Sequence, residues 1–344
     1  MKFRFFLALA ALVAASCFAE STNRIQAVSH ASAPAASTND PVELEYQKLM
    51  EDDEAALAEI DGWIKENQAF AEQGGGVTKE EISRRILKRV EPVRAAYDEF
   101  LKRNPSHGNA HLAYASFLED IHEEEAALQH MLKAKEVEPK NPAAWNNLAN
   151  YYGHFGDVTN AFYHYEQAIE LDPKEPVYYH NFGTTVFLFR KDVMEYYGMK
   201  DEQLVFDKAL MLYSNSMRLD PTNFLLATDI AMTYYGIKPV RTEDALKSWQ
   251  YALKLAEGSL QREGVLIHLA RFKMNSGQYD EAHRLMNSVT NSELNDLKIR
   301  LLKNLELREH PESATNGVSA ATTNELSADL STTNSPAHDH PHEP

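Results

Sequence analysis

Apolar residues between positions 93 and 305 recur at three- and four-residue steps and nowhere alternate, so this stretch is read as helices without strands. The pattern is clearest in 142–175. Asn141-Pro142 supplies an N-cap and a first-turn proline, after which Trp145, Leu148, Ala149 and Tyr152 form one stripe. Gly156-Asp157 breaks that helix. Ala161, Tyr165 and Ala168 mark the buried face of a second helix, which Pro173 closes. Upstream, Asp40-Pro41-x-Glu43 opens a helix to about residue 72, Gly74 to Gly76 form a hinge, and Thr78-x-x-Glu81 is a capping box that opens the next helix. Downstream, Leu294, Leu297, Ile299, Leu301, Leu302 and Leu305 give residues 291–309 one amphipathic face.

The units repeat. Pro105, Pro139 and Pro173 stand 34 residues apart, and Pro221 follows after 48, the period plus 14. Ala127 and Ala161 keep the 34-residue step, and Ala209, Ala245 and Ala282 follow after 48, 36 and 37. A period near 34 with helical spacing inside it describes stacked helix pairs, because one hairpin cannot bury its own apolar stripe. Unit 108–141 carries Tyr114-Ala115, Leu118, Ala127, Met131 and Ala134, with His111 where the next unit has Trp145. Unit 176–223 carries Tyr179, Phe182-Gly183, Val186, Ala209 and Tyr213. Unit 224–259 has Ile230-Ala231, Tyr234, Ala245, Trp249 and Ala252 but no closing proline; unit 263–292 has Leu269-Ala270, Gly277, Ala282 and Met286. Val93, Tyr97 and Phe100 read as the second helix of a degenerate first unit.

Trp145-x2-Leu148-Ala149-x2-Tyr152, then Ala161-x3-Tyr165 and Pro173, resembles the tetratricopeptide repeat, with alanine at the small position usually held by glycine. The resemblance extends over 93–292. It implies an all-α fold, a right-handed α-solenoid of helical hairpins with terminal capping helices, and no enzymatic activity. It also implies a concave groove, lined by the first helix of each unit, that binds a peptide or protein segment. On the face opposite the packing stripe the groove candidates are Asn146 and Asn150, His180 and Thr184, Thr228 and Tyr235, and Arg271 and Met274. An asparagine amide can hold an extended peptide through both its donor and its acceptor. The lysines of the chaperone-tail clamp found in some relatives are absent from these places, so an acidic C-terminal tail is not the ligand expected in this groove.

The 14 extra residues of unit 176–223 fall near 190–203, where a tight turn would suffice. The first helix is expected to lengthen there and return. Met194, Tyr196, Tyr197 and Met199 then either protrude as a contact element or fold back over the adjacent unit. Aromatic residues concentrate nearby: 14 of the chain's 34 lie in 145–200, more than the repeat demands.

Charge and chain ends alter this picture at its edges. The net charge is −17, of which residues 40–75 contribute −9 and residues 311–344 contribute −5. No basic stripe offsets it, which argues against a nucleic-acid partner. Lys2 and Arg4 followed by an apolar run from Phe5 to Ala15 read as an export signal over 1–19. Two cuts fit, one after Ala19 and one before Cys17, where Ala14-Ala15-Ser16-Cys17 resembles a lipoprotein box. The protein is therefore expected to be periplasmic or secreted, and held at a membrane only if Cys17 is lipidated. Residues 20–40 read as a flexible linker, 41–104 as N-terminal helices with the degenerate repeat, 105–292 as the repeats and 291–310 as a C-terminal cap. The tail 311–344 reads as disordered, and its His338, His340 and His342 form a weak candidate metal tract.

No GxSxG, HExxH, GxxxxGK[ST] or GxGxxG motif occurs, and no cofactor is expected. His107 and His111, four residues apart, are read as a boundary residue and a packing residue rather than as metal ligands. These features describe an interaction scaffold of the cell envelope. The alternative is a membrane-anchored lipoprotein acting in assembly or as a co-chaperone, with a metal-handling protein or enzyme as a third class. Mass measurement of the mature chain should find it beginning at Glu20 or at an acylated Cys17; an intact Met1 in the folded cellular protein would refute export.

Overall fold

Helix starts follow local capping chemistry. In this computed structural model, which describes residues 40–72 and 74–310, the Thr78 hydroxyl accepts from Glu81 N at 3.2 Å, Asn141 Oδ1 from Ala143 N at 3.0 Å and Asp157 Oδ1 from Thr159 N at 2.9 Å. The leader with Cys17, the linker up to residue 39, and the tail with His338, His340 and His342 lie outside the described residues. Among the described residues there are fourteen α-helices, one 3₁₀ turn and no strand.

The chain divides into two compact units, with the boundary between Lys238 and Pro239. Unit 1 holds α1 (Pro41–Glu72), α2 (Lys79–Arg103), α3 (Gly108–Asp120), α4 (Glu124–Val137), α5 (Pro142–Phe155) and α6 (Val158–Leu171). It continues with α7 (Pro176–Leu188), α8 (Arg190–Tyr197), α9 (Glu202–Leu219) and α10 (Phe224–Thr233). Unit 2 holds α11 (Thr242–Leu255), α12 (Gly258–Asn275), α13 (Tyr279–Asn287), the 3₁₀ turn Ser292–Leu294 and α14 (Asn295–Glu309).

In unit 1, α3 pairs with α4, α5 with α6 and α7 with α9. In the first two pairs the short links leave antiparallel packing as the way to bury the stripe. The cores are aromatic layers joined by alanines. Tyr97, Phe100, Tyr114, Phe117, Met131 and Leu148 form one cluster; Phe162, Tyr165, Phe182, Val186, Leu212 and Tyr213 form the next. Helices approach closely at the small positions. A Cβ on Gly183 would sit 2.7 Å from two ring carbons of Tyr213, which is itself buried.

The hairpins are also tied by a recurring hydrogen bond. Trp145 Nε1 donates to the Pro139 carbonyl at 2.9 Å, and the Tyr179 hydroxyl to the Pro173 carbonyl at 3.2 Å. His111 Nε2 lies 3.1 Å from the Pro105 carbonyl. The position therefore takes a ring whose edge can reach the carbonyl of the proline six residues earlier, and histidine can substitute for tryptophan there. The other His111 nitrogen faces His130 Nδ1 at 2.9 Å, and His107 Nδ1 accepts from Ala110 N at 3.1 Å as the cap of α3.

The boundary between the two units falls inside the stretch 224–259: α10 packs on α9 and α7, and α11 packs on α12. One expectation is corrected. The insertion does not lengthen the first helix. Helix α7 ends at Leu188, and the separate helix α8 stops at Gly198, which has φ 65°. Val193 of α8 is fully buried. The Tyr197 hydroxyl donates to Glu166 Oε1 at 2.6 Å, Tyr196 meets the Phe162 ring edgewise at 5.3 Å, and Lys208 Nζ lies 4.0 Å above the Tyr197 ring. Met194 and Met199 pack partly buried on the same core. Val193, Met194, Tyr197 and Met199 therefore cover the core between α6 and α9, while Tyr196 stays 41 % exposed at the edge of that cover.

In unit 2, α14 packs on α13 and α12 through Leu301 and Leu305, closing a core of Ile267, Ala270, Met274, Ala282 and Met286. Trp249 and His268 stack with ring centroids 4.1 Å apart, and burial lowers the imidazole pKa to about 3.

Gly183→Ala should cost about 1–3 kcal/mol, since the added methyl must displace a packed phenol ring. Chemical denaturation of the variant checks this; unchanged stability would mean that Tyr213 has room to move.

Candidate functional site

The first helices of unit 1 bring a file of polar side chains together, and 34-residue spacing is the reason. Asn146 and His180, Asn147 and Asn181, and Asn150 and Thr184 each stand one period apart on α5 and α7, and Asp229 on α10 follows Asn181 after 48. Equivalent positions on successive stacked helices fall side by side. Asn181 Nδ2 donates to Asn146 Oδ1 at 3.1 Å, and Asn146 Nδ2 to Asn147 Oδ1 at 3.4 Å. His180 Nε2 and Asp229 Oδ2 are 2.6 Å apart, with the imidazole edgewise on Tyr213 at 5.8 Å.

The groove candidates separate into two kinds. Asn146, expected to face solvent, is 1 % exposed and belongs to the joint between α5 and α7. Met274 is likewise buried, inside the unit 2 core, because α14 packs over that end of α12 and α13. Thr184 accepts from the Tyr213 hydroxyl at 3.2 Å, and Thr228 donates to the Leu225 carbonyl of its own helix at 2.7 Å. Tyr235 and Arg271 are half-buried, Tyr235 in unit 1 and Arg271 in unit 2. Asn150 remains half-exposed. Its Oδ1 accepts from the Tyr165 hydroxyl at 2.6 Å, and Tyr165 is in turn 3.2 Å from Thr185 Oγ1. That bond fixes the amide, so Nδ2 is the donor left over for a ligand. The sequence reading missed Asn147, Asn181 and Asp229; stepping 34 and then 48 residues from Asn147 would have found them.

A second, acidic feature lies at the C-terminal ends of α3 and α5. Tyr151 packs against Phe155 at 5.4 Å, and Phe155 is 53 % exposed. Burial, then the charges of Glu124, Glu125 and Glu119, raise the Tyr151 phenol above its ordinary range. Burial, then repulsion from Asp120 and Glu124, pushes the Glu119 carboxyl up to about 7. Among the described residues no group of three or more His, Cys, Asp or Glu has the arrangement of a metal site, and no helix is long and apolar enough to cross a membrane.

The raised Glu119 carboxyl carries a signed consequence. The folded state binds its proton more tightly than the unfolded state does, so stability from this group is present below its ordinary value of 4.5 and is lost as pH rises towards 7. Glu119→Gln should raise the melting temperature at pH 8 and flatten its dependence between pH 5 and 8; melting curves identical in slope to the parent would contradict the assignment.

The family model for the tetratricopeptide repeat matches residues 142–175, which are the α5/α6 hairpin with its closing proline. Among solved structures the chain is similar to PilF of Pseudomonas aeruginosa, at 16% identity and a TM-score of 0.47 over 77% of this chain and 99% of that one. It is also similar to TTC0263, a thermophilic TPR protein of Thermus thermophilus (19% identity, TM-score 0.41, 58% of this chain and 99% of that one). A third is YrrB, a TPR protein with an unusual peptide-binding site (14% identity, TM-score 0.44, 63% of this chain and 98% of that one). None of these likenesses assigns a partner. Among curated proteins, no significant match was found. Residues 142–175 are thus a tetratricopeptide repeat, and the α3/α4 hairpin before it and the α7/α9 pair after it are helix pairs stacked on it.

Proposed function

We propose that this protein is an exported, non-enzymatic interaction scaffold of the cell envelope whose first-helix face in unit 1 receives an extended polypeptide. The observation that carries the reading is Asn150: a buried phenol holds its carbonyl oxygen, and its amide nitrogen is left on a half-exposed face. An extended peptide offers a carbonyl at every residue, so a fixed donor on a rigid helix recognises it at little ordering cost. Half-buried Thr184 and the His180–Asp229 pair on the neighbouring helices supply further polar groups along the same file. Export rests on the apolar leader, and the box ending at Cys17 keeps lipid anchoring as the second reading, with a role in assembly or as a co-chaperone.

A photo-crosslinkable residue placed at 150 should capture a partner in living cells, whereas the same residue at Tyr163, on the second helix α6, should not. Asn150→Ala should weaken binding of the captured partner by about three- to tenfold with helicity unchanged. Asn146→Ala should instead cost about 1–3 kcal/mol of stability, since it empties a buried position and leaves the half-buried Asn181 amide without its acceptor. Equal capture from 150 and 163 would move the contact surface elsewhere.

A further inference from the structure

Unit 2 contains a cavity of about 700 Å³ that the groove reading does not use. It is lined by Gln250, Leu253 and Lys254 of α11, by Ser259, Arg262, Glu263 and Leu266 of α12, and by Ser288 just past α13. Glu263 is ionised there, with its carboxylate fixed by neutral donors. The carboxylate accepts from Thr290 N and Asn291 N, each at 2.6 Å, and from the Thr290 hydroxyl at 3.1 Å, and these bonds hold its pKa below the usual range. Lys254 and Arg262 are both exposed, and among the described residues neither has a carboxylate at ion-pair distance. The lining therefore carries two exposed cations against one fixed carboxylate, a net positive charge, together with hydroxyl groups and the side chains of Leu253 and Leu266. That combination fits a segment bearing carboxylates next to apolar side chains.

The chain itself contains such a segment. Residues 311–344 hold five acidic side chains and neither Lys nor Arg. Their two leucines coincide with two of the acids, in Glu325-Leu326 and Asp329-Leu330, and both pairs repeat at four-residue spacing. The tail begins directly after α14, which packs on α12 and α13 of the same unit. The fourteen residues from 311 to 324 span up to about 45–50 Å when extended, and roughly 20 Å as a flexible coil. A tether of that length gives an effective concentration on the order of millimolar, so even a weak site is filled.

We propose that the segment Glu325–Leu330 occupies the unit 2 cavity of its own chain, with Glu325 and Asp329 meeting Lys254 and Arg262 and the two leucines resting on Leu253 and Leu266. This site is separate from the first-helix face, and it stands or falls independently of the scaffold reading. Because the contact is electrostatic and rim-exposed, it shields the cavity while adding little to melting temperature.

Carbodiimide crosslinking of the full mature chain at low micromolar concentration tests the proposal. The expected product is an intramolecular amide between Lys254 and Glu325 or Asp329, mapped by mass, whose yield falls about fivefold when salt is raised from about 0.05 to 1 M. In parallel, Glu325→Gln with Asp329→Asn should speed hydrogen exchange of amides at 250–262 by roughly threefold, without touching any core residue. Links spread evenly over the lysines, with exchange unaltered by the tail variant, would overturn the proposal. Links found only between two copies would also overturn it, by assigning the tail to a neighbouring molecule.

Discussion

Everything in unit 1 depends on how closely one helical hairpin can approach the next. A single hairpin leaves its apolar stripe in water, and only a neighbour within side-chain reach removes it. The closeness is visible at Gly183, where even a methyl group would collide with Tyr213, and at Ala149, Ala161, Ala168 and Ala209, all fully buried. Small residues set the spacing, and the large rings of Phe162, Tyr165, Phe182 and Tyr213 fill the layers between. The ties from His111, Trp145 and Tyr179 to the preceding proline carbonyls fix the angle at which each first helix leaves its loop.

This close stacking also decides which polar groups remain for function. Asparagines one period apart meet each other before they can meet a ligand, so Asn146 is consumed by Asn181. One turn further along α5, Asn150 is anchored from behind by a tyrosine hydroxyl and keeps a donor in reach of solvent. The same logic governs the insertion. Fourteen residues with two methionines and two tyrosines had a core within reach and joined it, because covering Phe162 and Phe182 removes more apolar surface from water than protruding would.

Charge takes a different course in the two units. In unit 1, carboxylates crowd where α3 ends and α4 begins, until burial and repulsion raise Glu119 towards neutrality. In unit 2, Glu263 is held as a cap for the Thr290–Asn291 turn, and Lys254 and Arg262 outnumber this one fixed carboxylate around a cavity. A chain with net charge −17 thus still presents a cationic site, and its acidic tail is attached to the unit that contains it.

The sequence by itself determined the helical class, the 34-residue step, the caps at Thr78, Asn141 and Asp157 and the closing helix after residue 291, because propensity, capping and periodicity act between residues close in the chain. It also related positions on successive first helices, since a period carries a position from one hairpin to the next. Tertiary structure alone decided which members of that face are spent. Whether an asparagine faces water or its counterpart, and whether an insertion stands out or folds back, depend on distances between segments far apart in sequence. Periodicity fixes the direction of a side chain around its own helix axis, and only packing fixes what stands in front of it.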